Sequence, residues 1–117
     1  MFGAIEAGGT KFVCGVGTGP EDLKTIQFPT TTPEATVRQA LDFFRSSKEP
    51  IRSIGIGSFG PVDLNPGSPA FGYITSTPKP GWQNYDIAGA VSAEMGGSDH
   101  IQILACLLKL FKLFLDN

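Results

Sequence analysis

At 117 residues, with a formal net charge of −2 and its nine Lys and Arg scattered singly, the chain has the size of one small domain and carries no basic stripe. Nucleic-acid binding therefore has no electrostatic support and is not expected. Cys14 and Cys106 lie far apart, no secretory leader precedes the first apolar run, and no His or Cys cluster has metal-ligand spacing. Two buried, reduced cysteines in a cytoplasmic protein are expected, metal binding by side chains alone is not, and His100 beside Asp99 reads as a surface or helix-start residue.

Phe2 to Ile5 is an apolar run that leads to Glu6. Gly8 and Gly9 then allow a tight turn, and Thr10 and Lys11 open a second apolar run, Phe12 to Val16. This is strand, turn, strand; a Walker loop would be followed by a helix. Glycines let the backbone approach a ligand closely, so the Gly9 and Thr10 N–H groups are candidates for an anion such as a nucleotide phosphate, with a plain hairpin turn as the alternative. Gly15 to Pro20 reads as the next turn, and Leu23 to Phe28 as a third, half-buried strand that completes a meander.

Thr31 and Thr32 before Pro33 and Glu34 form a helix start: a capping hydroxyl, a proline whose missing N–H costs nothing there, and a carboxylate in the first turn. Val37, Ala40, Leu41 and Phe44 recur at helical spacing, so a helix from about Thr32 to Ser47 buries them and turns Arg38, Gln39, Asp42 and Arg45 to water. Ile51 to Ser58 alternates apolar residues with Gly55 and Gly57, a strand with one face stripped of side chains. Its end, Ser58-Phe59-Gly60-Pro61, leaves room for a small molecule, with a simple Gly-Pro turn as the alternative. From Asn65 to Asn84 a loop rich in Pro, Gly, Ser and Thr is expected, with Phe71 to Thr75 a short strand inside it. Within this loop, Ser76 to Trp82 presents hydroxyls, an ammonium and an indole on stiff prolines, although Trp82 also reads as a core anchor. Asp86 caps a short helix, Ile87 to Met95, ended by Gly96 and Gly97.

The turn from Glu6 to Lys11 resembles the first phosphate loop of the hexokinase, actin and Hsp70-like fold. Together with Gly55 to Leu64 and Tyr73 to Trp82 it makes three motifs in order, and over residues 1 to about 98 the chain resembles the ROK family of sugar kinases, within it the bacterial-type fructokinases. Glu6, where many superfamily members carry Asp, suits that branch, as does Pro78-Lys79, where glucokinase-like relatives place a sugar-contacting Asn. The resemblance implies an α/β, ribonuclease-H-like N-terminal lobe in which Ile51 to Ser58 joins the sheet parallel to the first strand. It also implies transfer of the ATP γ-phosphate to a hexose hydroxyl, the 6-OH of fructose, with Mg²⁺ neutralising charge. Carried over residue by residue, Gly8, Gly9, Thr10 and Lys11 would line the phosphates and Glu6 would face the Mg²⁺ waters. Ser58, Phe59, Gly60, Pro61, Thr77, Lys79, Gly81 and Trp82 would wall the sugar pocket. The helix-turn-helix that ROK repressors carry ahead of the first strand is not expected here.

In the family a strand bearing the catalytic aspartate follows Gly97, then a His and Cys zinc cluster and a second ATP-binding lobe. None has a counterpart in this sequence. No catalytic residue is assigned, the structural zinc is not expected, and the chain reads as an incomplete lobe, inactive alone. Residues 99–117 read as a non-homologous tail, almost wholly apolar from Ile101 to Leu115. The polar stripe Gln102, Ala105, Lys109, Lys112 and Asp116 predicts an apolar helix. At 1.5 Å per residue it would span about 22 Å, short of the roughly 30 Å hydrocarbon core, so a membrane span is not expected. Docking on the lobe or self-association is. Two functions compete: a fructokinase, or a non-catalytic lobe that binds nucleotide or associates with other chains.

Overall fold

The computed structural model describes residues 1–95 and 102–107. A sheet is built from β1 (Phe2–Ala7), β2 (Lys11–Gly17), β3 (Lys24–Pro29), β4 (Ser53–Ser58) and β5 (Gln102–Leu107), with α1 (Pro33–Arg45) between β3 and β4 and α2 (Ile87–Met95) between β4 and β5. The strand order is β3-β2-β1-β4-β5. The first three strands form the antiparallel meander, and β4 joins β1 in parallel, with Phe2 opposite Ser53 and Ala7 opposite Ser58. An α-helical crossover is what a parallel neighbour requires, and α1 supplies it.

The helix begins where the threonines predict. Thr32 is the N-cap, its hydroxyl accepting from the Ala35 N–H at 3.3 Å, and Pro33 occupies the first turn. Val37, Ala40, Leu41 and Phe44 are all buried in one core with Ile5, Ala7, Phe12, Cys14, Ile54 and Ile56, while Arg38, Gln39, Asp42 and Arg45 are exposed. Gly3 lets this helix approach closely, because a Cβ there would stand 3.0 Å from the Phe44 ring. Ile87 and Val91 of α2 join the same core, and Arg45 and Glu94 tie the two helices together at 2.6 Å on the surface. Cys14 is free and fully buried, and burial pushes its thiol up to about 12. It is a packing residue, not a reactive thiolate.

Three expectations change. β3 is largely exposed rather than half-buried, since it is the outer strand of the sheet, and Phe28, stacked on Phe12 at 5.9 Å, turns inward. Phe71 to Thr75 is not a strand: Ile74 makes isolated bridges to Val62 and Tyr85 within a tightly bonded loop. Residues 102–107 are not helical. They form β5, parallel to β4 with Gln102 opposite Ser53 and Leu107 opposite Ser58. A short apolar run satisfies a buried strand as well as a helix, and the unpaired edge of β4 decides between them by offering a row of N–H and C=O groups. The remainder of the predicted apolar helix, the Gly96-Gly97 stop, Asp99 and His100 lie outside the described residues. Among the described residues no helix is long and apolar enough to cross a membrane, and no three His, Cys, Asp or Glu side chains gather as a metal site.

Candidate functional site

Parallel pairing of β1 with β4 brings two of the sequence motifs together. Both strands end at the same edge of the sheet, so the turn after Ala7 stands beside the run after Ser58, and the Phe59 N–H donates to the Ala7 carbonyl at 2.8 Å. Residue pairing also sets the half-buried Glu6 opposite Gly57, which has no side chain. Strand ends on one edge of a sheet are where ligands bind in folds of this class.

The turn itself is tight. The Gly8 N–H donates to the Lys11 carbonyl at 2.9 Å, and a Cβ at Gly8 would lie 2.7 Å from that same oxygen. Glycine is thus required at Gly8 by the backbone opposite. Gly9 at the apex has open space around its missing Cβ, and Thr10 and Lys11 are exposed. The Lys11 ammonium reaches the Gln27 side chain at 3.4 Å. Backbone amides, a hydroxyl and an ammonium around an open apex, with a carboxylate on the neighbouring strand, are a donor set that fits polyphosphate together with a hydrated cation.

The third motif is joined to the first two from beneath. Trp82 is fully buried; its ring lies 5.7 Å from Phe12, 5.6 Å from Phe59 and 5.4 Å from Tyr85, and its indole N–H donates to the Thr31 carbonyl at 2.9 Å. One side chain therefore connects the strand leaving the turn, the run after β4 and the loop Thr77 to Trp82. Within that loop Thr77 is buried, its hydroxyl accepting from the Lys79 N–H at 3.2 Å and its carbonyl from the Gln83 amide at 3.0 Å. Ser58 is also buried, its hydroxyl turned onto the Phe59 carbonyl at 2.9 Å. The residues predicted for the sugar wall thus divide in two. Phe59, Gly60, Pro61, Lys79 and Gly81 are solvent-accessible, whereas Ser58, Thr77 and Trp82 support them from behind.

The segment between the two runs is ordered by its own hydrogen bonds. Gly60–Pro61 is cis. The Thr75 N–H donates to the Pro61 carbonyl at 2.8 Å, the Asp63 N–H to Tyr73 at 2.9 Å and the Gly72 N–H to Asp63 at 2.8 Å. The Asp63 carboxylate accepts from the Ser68 hydroxyl and the Asn65 N–H, bonds that hold it below the usual carboxylate range. Tyr85, beneath the same loop, is pushed above the usual phenol range, chiefly by burial and further by the Glu34 and Asp86 carboxylates.

Thr30 is the residue that sequence reasoning missed. Its hydroxyl donates to the Gly8 carbonyl at 2.7 Å and its N–H to the Thr10 carbonyl at 2.9 Å, so it holds the turn from the β3 side. In the sequence it only precedes Thr31 and Thr32, which read as a helix start. Two depressions lie away from this edge: one of about 440 Å³ lined by Met1, Val16 and Lys48 at the opposite end of the sheet, and one of about 300 Å³ between α1 and α2.

Comparison with known proteins matches this arrangement. A fructokinase of Streptococcus mutans is 50% identical over 95 residues, covering 80% of this chain and 32% of the relative. One of Pediococcus pentosaceus is 48% identical over 95 residues, with 80% and 32% covered, and one of Lactococcus lactis is 46% identical over 89 residues, with 75% and 30% covered. The chain spans about a third of the length of these curated relatives. Glucokinase from Parabacteroides distasonis superposes with a TM-score of 0.60 at 18% identity, over 91% of this chain and 30% of that one, which shows a shared fold. The sequence profile of the ROK family matches residues 2–101. With the meander, the parallel fourth strand and the glycine turn in their expected places, the chain belongs to the ROK family.

Proposed function

We propose that this chain forms the phosphate-binding lobe, and one wall of the sugar site, of an ATP-dependent hexose kinase whose acceptor is fructose. The observation that carries this reading is the parallel register of β1 and β4, which sets the Gly8 to Lys11 turn beside Ser58 to Pro61. Identity near 50% to proteins named fructokinase supports fructose as the hexose. In this reading the Gly9 to Lys11 backbone and the Lys11 ammonium hold phosphate oxygens, and Glu6 orients water on Mg²⁺. Phe59, Gly60, Pro61, Lys79 and Gly81 face the sugar, kept in place by Trp82, Thr77 and Ser58. Mg-ATP supplies the transferable γ-phosphoryl group. A kinase of this kind also needs a carboxylate base on the acceptor hydroxyl. The strand that reaches the same edge, β5, reads Gln-Ile-Leu-Ala-Cys-Leu and carries no acid. In this reading the described lobe holds Mg-ATP, and its β5 supplies no base for the transfer.

Equilibrium dialysis of purified chain against Mg-ATP tests the binding. Binding is expected, and Gly9→Asp, sterically free at the apex but anionic, is expected to abolish it. Equal retention by both proteins would refute the phosphate turn. A coupled assay with fructose tests the transfer: no fructose 6-phosphate above background is expected, and product formation lost on Thr10→Ala would show instead that the chain holds a complete active site.

A further inference from the structure

We propose that Thr30 is the positioning residue of the phosphate turn, and that its two hydrogen bonds select the Gly9 and Lys11 amides as the donors that face the anion. The inference rests on the reading of the turn as phosphate-binding and goes beyond it in naming the donors and what aims them.

Peptide geometry fixes where these amides point. In a trans peptide the C=O and the N–H of one unit point in opposite directions. The Gly8 carbonyl is held by the Thr30 hydroxyl at 2.7 Å, so the N–H of the same peptide unit, that of Gly9, is turned away from Thr30. The Thr10 carbonyl is held by the Thr30 N–H at 2.9 Å, so the Lys11 N–H is likewise turned away. The Gly8 N–H is already committed across the turn to the Lys11 carbonyl. Two alternate amides, Gly9 and Lys11, are thereby set on the side opposite β3.

Thr30 can hold them because it is itself held. It is 8% exposed, and the residues that follow it fix the chain. Thr31 accepts the Trp82 indole N–H at its carbonyl and donates its own N–H to the Thr36 hydroxyl at 2.9 Å, and Thr32 caps α1. Donors aimed before the ligand arrives need no reorganisation on binding.

The test is a titration of the ¹⁵N-labelled full chain with Mg-ATP, following backbone amides. In the parent, Gly9 and Lys11 are expected to shift saturably, and more than Gly8. Thr30→Val removes the hydroxyl at nearly constant shape and is expected to weaken binding about tenfold, the worth of one such hydrogen bond. Thr30→Ser, which keeps the hydroxyl, is expected to return to within about twofold of the parent. A parent in which no turn amide shifts would refute the phosphate reading itself, and this inference with it. A parent that binds, with Thr30→Val binding equally well whatever its melting temperature, would overturn the inference alone. If Thr30→Val does not fold, Thr30→Ala carries the same comparison. Loss of the fold in both would make Thr30 a stability residue and also overturn it.

Discussion

Trp82 offers the most direct check on how the site is held. Its side chain buries roughly 200 Å², which at about 25 cal/mol per Å² gives an upper bound near 5 kcal/mol for its contribution. Truncation to alanine removes three aromatic partners, Phe12, Phe59 and Tyr85, and leaves a void that their rings fill only in part. A cost of about 3–5 kcal/mol is expected for Trp82→Ala, a large share of the 5–15 kcal/mol that holds a typical domain together. Trp82→Phe keeps most of the area but loses the 2.9 Å bond to the Thr31 carbonyl. The bond is part-buried, and the hydrogen-bond part of the loss is about 1 kcal/mol. With the lost ring volume, Trp82→Phe should cost about 2 kcal/mol. Urea titration followed by far-ultraviolet circular dichroism measures both, because removing the one tryptophan of the chain removes the fluorescence signal. A Trp82→Phe midpoint equal to the parent, or a cost below about 1 kcal/mol for Trp82→Ala, would refute the placement of the indole at the junction of the three motifs.

Gly72 has a φ of +87°, and a Cβ there would meet the Ala88 Cβ at 2.6 Å. Gly72→Ala should therefore cost about 2 kcal/mol or more in the same titration, and a neutral result would show that the 61–75 loop is not held as described. Cys14 predicts an alkaline effect: its thiol ordinarily ionises at 9.0 but is held neutral to about 12 in the fold. The folded value is raised, so its contribution is complete below pH 9 and is lost above it, by about 1.4 kcal/mol per pH unit. Chemical denaturation of the parent above pH 9 should weaken more steeply than that of Cys14→Ala, and parallel slopes would refute the burial argument.

Much of the lobe was legible in the sequence because local chemistry and tertiary environment agree there. Thr32-Pro33 starts α1 and the spacing of Val37, Ala40, Leu41 and Phe44 names its buried face, since capping and a 3.6-residue period are properties of a few neighbouring residues. The glycine turn between β1 and β2 was legible for the same reason, although only the structure shows that Gly8, and not Gly9, is the position where the backbone excludes a Cβ. Other features were decided only in three dimensions. Whether Trp82 touches ligand or core depends on Phe12 and Phe59, which are distant in sequence, and the fold resolves that in favour of burial. Thr30 carries no signal of its own in the sequence; laying β3 beside β2 brings its hydroxyl onto the Gly8 carbonyl. The run Gln102 to Leu107 is apolar enough for either a helix or a strand. The free edge of β4 makes it a strand, because hydrogen-bonding groups offered by a neighbouring chain segment outweigh the weak preference of six residues for one backbone shape over another.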